Sequence, residues 1–175
     1  NTAHQYHVVQ GEAAIKSLIG FLGRQSTFCF DTETTSLTAV EAELVGMSFA
    51  YRTAEAFYVP FSADRVECQA QVDLFKDLFA NEAIEKVAQN IKYDMSVLAN
   101  YGLEIKGKVY DTMLAHYLIE PEKRHNMDAL SMAYLGYEPI SIETLIGKKG
   151  AKQGNMRDVA LEDIKEYAAE DADIT

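Results

Sequence analysis

The chain has 175 residues, about half of them apolar (48%) and a quarter charged (25%), which fits one domain with a substantial core. No apolar stretch is long enough to cross a bilayer or to act as a secretion signal, so the expectation is a soluble, cytoplasmic protein with no membrane partner. The net charge of −11 excludes a broad duplex-binding surface, because such affinity comes from Lys and Arg neutralising phosphates. Any nucleic acid must be held locally, by carboxylates neutralised with metal ions or by a basic neighbouring domain.

After a polar opening, Ala14, Ile15, Leu18, Ile19 and Leu22 mark one face of a helix over 13–22. The run TFCFDTET (27–34) is apolar and β-prone before it turns acidic, as in a central strand leaving the core at its carboxyl end. LVGMSFAY and AFYV follow, joined across Arg52–Glu55 and stopped by Pro60, and read as a hairpin of the same sheet. Residues 71–78 read as helix, 85–89 as a short strand, 93–101 as helix, 109–110 as a strand edge, and everything from Asp111 onward as helices. In the last helix Leu161, Ile164, Tyr167, Ala168 and Asp171 share a face, and the chain stops within it at Thr175. With no Met at position 1, a single domain (1–175) cut from a larger protein is expected. Cys29, inside an apolar run, reads as a buried reduced thiol, and Cys68 has no metal spacing.

Several acids could gather around a metal. Asp31 and Glu33 alternate on one strand and so project from the same face, while Tyr167 and Asp171, four apart on a helix, share another. Each has a bland counterpart: a solvated acid pair, an amphipathic helix, and, for Asp94 in QNIKYD, a helix cap. What would unite them is phosphodiester hydrolysis, which uses two divalent ions about 4 Å apart to activate water and stabilise the leaving oxygen. Hard oxygen ligands suit Mg²⁺ or Mn²⁺.

DTETTSL (31–37), NIKYD (90–94) and YAAED (167–171), in this order, resemble the three motifs of the DEDDy exonucleases, above all the 3′-5′ proofreading exonuclease domain of bacterial family A DNA polymerase (DNA polymerase I). ELVGMSFAY, LANYGLEIKG, YDTMLAHYLI and RHNMDAL extend the likeness over nearly the whole chain. The resemblance implies an RNase H-like α/β fold, with a mixed central β-sheet flanked by helices, and two bound Mg²⁺ or Mn²⁺ ions. Asp31, Glu33 and Asp171 would bind one ion, with Asp31 bridging to a second that Asp94 holds through water. Tyr167, with Glu33, would orient the attacking water. The substrate would be the single-stranded or frayed 3′ end of DNA, cleaved to nucleoside 5′-monophosphates, and the partner an adjoining polymerase domain. Leu37 would wedge against the terminal bases, and Gln89, Asn90, Tyr93 and Arg124 would contact the strand. Where the family can place an aromatic against the terminal base this chain has Ile142, which removes stacking worth roughly 1–3 kcal/mol. Alternatives are a free-standing exoribonuclease of the same metal type and a catalytically silent DNA-binding module.

Asp111 reads as a helix N-cap and Glu170, turned about 100° from Asp171, as a neighbouring or solvated acid. Lys148, Lys149 and Lys152, among Gly147, Gly150 and Gly154, read as a solvated loop, with phosphate contact as the sharper alternative. The four histidines have no metal spacing.

Overall fold

The structure, a computed structural model, describes residues 3–150 and 152–175. Its strands are β1 (Gln5–Val8), β2 (Thr27–Thr34), β3 (Leu44–Arg52), β4 (Glu55–Pro60), β5 (Glu85–Ala88) and β6 (Val109–Asp111). Its helices are α1 (Glu12–Leu22), α2 (Arg65–Asp73), α3 (Lys76–Ala80), α4 (Ile91–Ala99), α5 (Thr112–Ile119), α6 (Met127–Leu130), α7 (Ile142–Ile146) and α8 (Leu161–Ile174). A π-helical segment (Ser131–Leu135) continues α6, and a 3₁₀ turn (Met156–Asp158) precedes α8.

The six strands form one mixed sheet in the order β1-β4-β3-β2-β5-β6. The central β2-β3-β4 meander is antiparallel, whereas β1, β5 and β6 join in parallel. The alternation of β2 sorts its side chains between two layers. Phe28 and Phe30 join Phe49 and Val59 in a core covered by Ile15, Leu18 and Leu22 of α1, Val72 of α2, Phe79 of α3 and Val97 and Leu98 of α4. Cys29 lies on the other face with Ala50 and Ala56, against Ala169 and Ala172 of α8. Alanines on both surfaces let that helix sit close to the sheet, which brings Asp171 to the end of β2.

Most expected elements are present, α4 lying two residues earlier than expected at Ile91–Ala99, with further differences at the opening, at 71–78 and at Cys29. The polar opening contains β1, whose side chains are exposed or half-buried and which becomes a strand by pairing with β4. The helix expected over 71–78 is two: Asp64 accepts from Val66 and Glu67 N–H (2.9 Å each) and starts α2 early, at Arg65. The chain then breaks at Leu74–Phe75, which lets Phe75 stack on Phe49 (centroids 5.4 Å apart) while Phe79 packs edge-on against Phe30 (4.9 Å). Cys29 is half-buried rather than buried, and both cysteines are free.

Candidate active site

β2 outlasts its neighbour. β5 pairs with it only as far as Cys29↔Val87 and ends at Ala88, so the last residues of β2 face an opening instead of a strand. Asp94, on the first turn of α4, fills part of that gap. Its Oδ1 accepts from the Thr32 N–H (3.1 Å) and from the Thr32 hydroxyl (2.5 Å), replacing a ladder bond. The other edge of β2 stays paired with β3, where Asp31 lies opposite Ser48 and Glu33 opposite Gly46. Only glycine fits there, since a Cβ on residue 46 would overlap the ring of Tyr58.

Asp31 and Glu33 project toward α8, and their carboxylate oxygens lie with one from Asp171 within 4.8 Å of one another. Glu33, Asp94 and Asp171 are only 5%, 2% and 8% exposed. Burial, reinforced by the neighbouring acids, pushes the carboxyls of Asp31 and Glu33 well above the usual carboxylate range. Burial likewise raises Asp94 to about 7 and Asp171 to about 8, partly opposed at Asp94 by the Thr32 hydrogen bonds. The Tyr167 phenol is also held up, first by burial and then by Asp171 and Glu33, so it stays protonated across the working range of an enzyme. Glu33 Oε1 is buried without a hydrogen-bond partner among the described residues. An orphaned oxygen among crowded hard donors is what a divalent cation would satisfy, so the residues fit a metal ion.

The four acids and Tyr167 line one cleft of about 490 Å³, together with Leu37, Gln89, Asn90, Tyr93 and Ile142. Leu37 is 85% exposed and Ile142 36% exposed, so both present apolar surface to an occupant. Two of the expected strand contacts are already engaged within the protein. The Tyr93 hydroxyl bonds Ser36 O (2.5 Å) and Thr34 Oγ1 (2.6 Å), anchoring the segment that carries Leu37. Gln89 donates to His125 O (2.7 Å), and its carbonyl oxygen accepts from the Thr112 hydroxyl. Arg124 is exposed and does not line the cleft; it sits beside His125, one residue from the Gln89 contact.

Of the groups that position these side chains, the sequence shows Asp111 only as a cap and Glu170 only as a neighbour of Asp171. Asp111 does cap α5 through Met113 and Leu114 N–H, but it also accepts from Asn90 N (Oδ1, 3.1 Å) and Ile91 N (Oδ2, 3.1 Å). One carboxylate thus fixes the start of α4, where Asn90 is left-handed (φ 62°) and Asp94 follows one turn later. Glu170 is buried, bonding the Tyr137 hydroxyl and Ile140 N (2.6 Å), and so ties the approach to α7 and Ile142 to the helix that bears Asp171. Asp173 accepts from the Tyr6 hydroxyl (2.8 Å) and from Ala54 N (2.7 Å) at the β3-β4 turn. A second cavity, of about 310 Å³, is mainly apolar and shares only Gln89 with the carboxylate cleft.

A DNA polymerase I of Pseudomonas aeruginosa is 40% identical to this chain over 97% of its length, and the chain spans 20% of that relative. For a DNA polymerase I of Chloroflexus aurantiacus the figures are 36%, 94% and 18%. Among solved structures, Escherichia coli RNase D, an exoribonuclease involved in structured RNA processing, superposes with a TM-score of 0.71 at 16% identity, covering 97% of this chain and 42% of RNase D. That likeness in fold agrees with the expected RNase H-like α/β fold, a mixed sheet flanked by helices. The profile of the 3′-5′ exonuclease family matches residues 6–175, and the chain belongs to that family.

Proposed function

We propose that this domain removes nucleotides from the 3′ end of single-stranded or frayed DNA as the proofreading module of a longer DNA polymerase I. The observation that carries this reading is the convergence of Asp31, Glu33 and Asp171 within 4.8 Å in a buried cleft of a 3′-5′ exonuclease family member. Asp31, Glu33 and Asp171 would hold one Mg²⁺ or Mn²⁺ ion, and Asp31 with Asp94 a second. Bound there, the ions would acidify a water molecule and neutralise charge on the scissile phosphate and its leaving oxygen. Thr32 occupies Oδ1 of Asp94, leaving Oδ2 for an outer contact through water.

The Tyr167 hydroxyl positions the attacking water by hydrogen bonding, with Glu33 beside it. Leu37 and Ile142 pack against the terminal bases without hydrogen-bond readout, so selection follows the ease of fraying and not sequence. Mispaired ends fray more readily and reach the cleft more often. The assignment to DNA is supported by the names of the relatives at 36% and 40% identity.

The test is degradation of a 5′-labelled single strand, as DNA and as RNA, with Mg²⁺, Mn²⁺ or EDTA. A metal-dependent ladder receding from the 3′ end, stronger on DNA, is the expected result. Preference for RNA would make the domain an exoribonuclease, and hydrolysis in EDTA would overturn the metal reading.

A further inference from the structure

We propose that the loop between Ile146 and Gly154 is a cationic rim, where Lys148, Lys149 and Lys152 grip the phosphate backbone of the strand upstream of the bond to be cut. The inference rests on the nucleic-acid substrate proposed above and adds the surface that would retain it. The loop is closed at its base: Gly154 N–H donates to Ile146 O (2.8 Å), and Gln153 donates from its side chain to Gly147 O (3.1 Å). Gly147 turns the chain out of α7 with φ +83°. Ile146, Gln153 and Gly154, the two feet of the loop, line the same cleft as the four acids. The lysines are therefore mounted on its rim, and all three are exposed.

Their lack of partners is the second observation. The chain has 27 acidic and 16 basic residues, so a lysine has carboxylates in excess to pair with. Lys16, Lys76, Lys106, Lys123 and Lys165 each do so, Lys86 bonds two carbonyl oxygens instead, and Lys92 and Lys108, on separate elements, form no ion pair among the described residues. Among the described residues Lys148, Lys149 and Lys152 form no ion pair. Three unpaired cations within five positions, beside a cleft built to receive a phosphodiester, match a polyanion whose charges recur along a flexible chain. Lysine suits that task, since its point charge on a long stem follows a backbone without reading bases. The rim would also offset the repulsion that a chain of net charge −11 exerts on an incoming strand.

The test compares wild type with the triple variant Lys148→Gln, Lys149→Gln, Lys152→Gln, whose changes are exposed and leave the core untouched. Affinity for a labelled single strand of about 12 nucleotides is measured by anisotropy from about 50 to about 200 mM salt, with kcat/KM on that strand and on a dinucleotide. The variant should bind the strand about 10- to 100-fold more weakly at the lower salt, and its log–log salt slope should be shallower by about 2, or roughly 0.7 per lost contact. Turnover of the dinucleotide, which without a 5′ phosphate has no phosphate upstream of the scissile bond, should be unchanged. Equal affinity and slope in the two proteins would identify a merely solvated loop, and a parallel loss on both substrates would mean that the loop shapes the site; either overturns the proposal. If wild type cleaves nothing yet the slope still falls in the variant, the rim stands and the nuclease reading fails.

Discussion

Asp94 and Thr32 show how one backbone accident sets up chemistry. Because β5 ends early, the Thr32 N–H has no strand partner, and the carboxylate that satisfies it is drawn to the mouth of the cleft. Thr32→Val keeps the β-branched shape and removes the 2.5 Å hydroxyl bond. Activity should fall about 10- to 100-fold, as when a group supporting a metal ligand is removed, with KM for metal rising. A change below two-fold in a metal titration of rate would show that Thr32 does not orient Asp94. Asp31→Asn should abolish cleavage while raising the melting temperature of the metal-free protein, since it removes one charge from a cluster of mutually repelling acids. Thermal unfolding in EDTA checks the second half of that prediction. That the four acids and Tyr167 share one cleft was legible through the resemblance their motifs carry, since spacing alone left each with a bland alternative. Thr32 was not, and Asp111 and Glu170 were legible only as a cap of α5 and a neighbour of Asp171, because their remaining partners lie 62, 20 or more, and 30 or more positions away.

At the scale of elements, two junctions hold the cleft open in the right shape. At the first, Gly46 lies opposite Glu33 and under the Tyr58 ring. Gly46→Ala should cost about 1–3 kcal/mol by overpacking, and the cost should shrink in a Tyr58→Ala background; additive losses in that double-mutant cycle would remove Tyr58 as the cause. The second junction is Asp111, which joins the N-termini of α4 and α5 through four backbone N–H groups. Asp111→Ala should destabilise the fold by about 1–3 kcal/mol. At temperatures where the variant is fully folded it should also raise KM for the strand, because Asn90 and Tyr93 ride on the released turn. Unchanged KM in that variant would confine Asp111 to stability. β2 was readable because its apolar run ends in acids, and α8 because its helical face is regular. β1 was not, since QYHV becomes a strand only through the edge that β4 offers. The α2–α3 break was hidden because a kink that seats Phe75 on Phe49 follows from packing, not from local propensity.

For the molecule as a whole, the site is a store of electrostatic cost within a well-packed sandwich of sheet and helices. Asp94 and Asp171 have ordinary values of 3.8 and folded values of about 7 and about 8, so the folded state holds their protons more tightly than the unfolded chain does. Their stabilising contribution is complete below pH about 4 and is lost as pH rises through 7 to 8. In EDTA the melting temperature should therefore fall between pH 6 and pH 8.5 by more than in an Asp94→Asn, Asp171→Asn variant, and Mn²⁺ should restore it at the higher pH. A flat profile in wild type would mean that the acids are not desolvated in solution.

Anomalous scattering from crystals soaked in Mn²⁺ would show whether Asp31, Glu33 and Asp171 converge to bind a divalent cation. A manganese peak coordinated by carboxylate oxygens of those three residues is expected in wild type, and its loss in Asp31→Ala. A fully soaked crystal with no peak among them, from protein that still shortens DNA from its 3′ end in Mn²⁺, would contradict that binding.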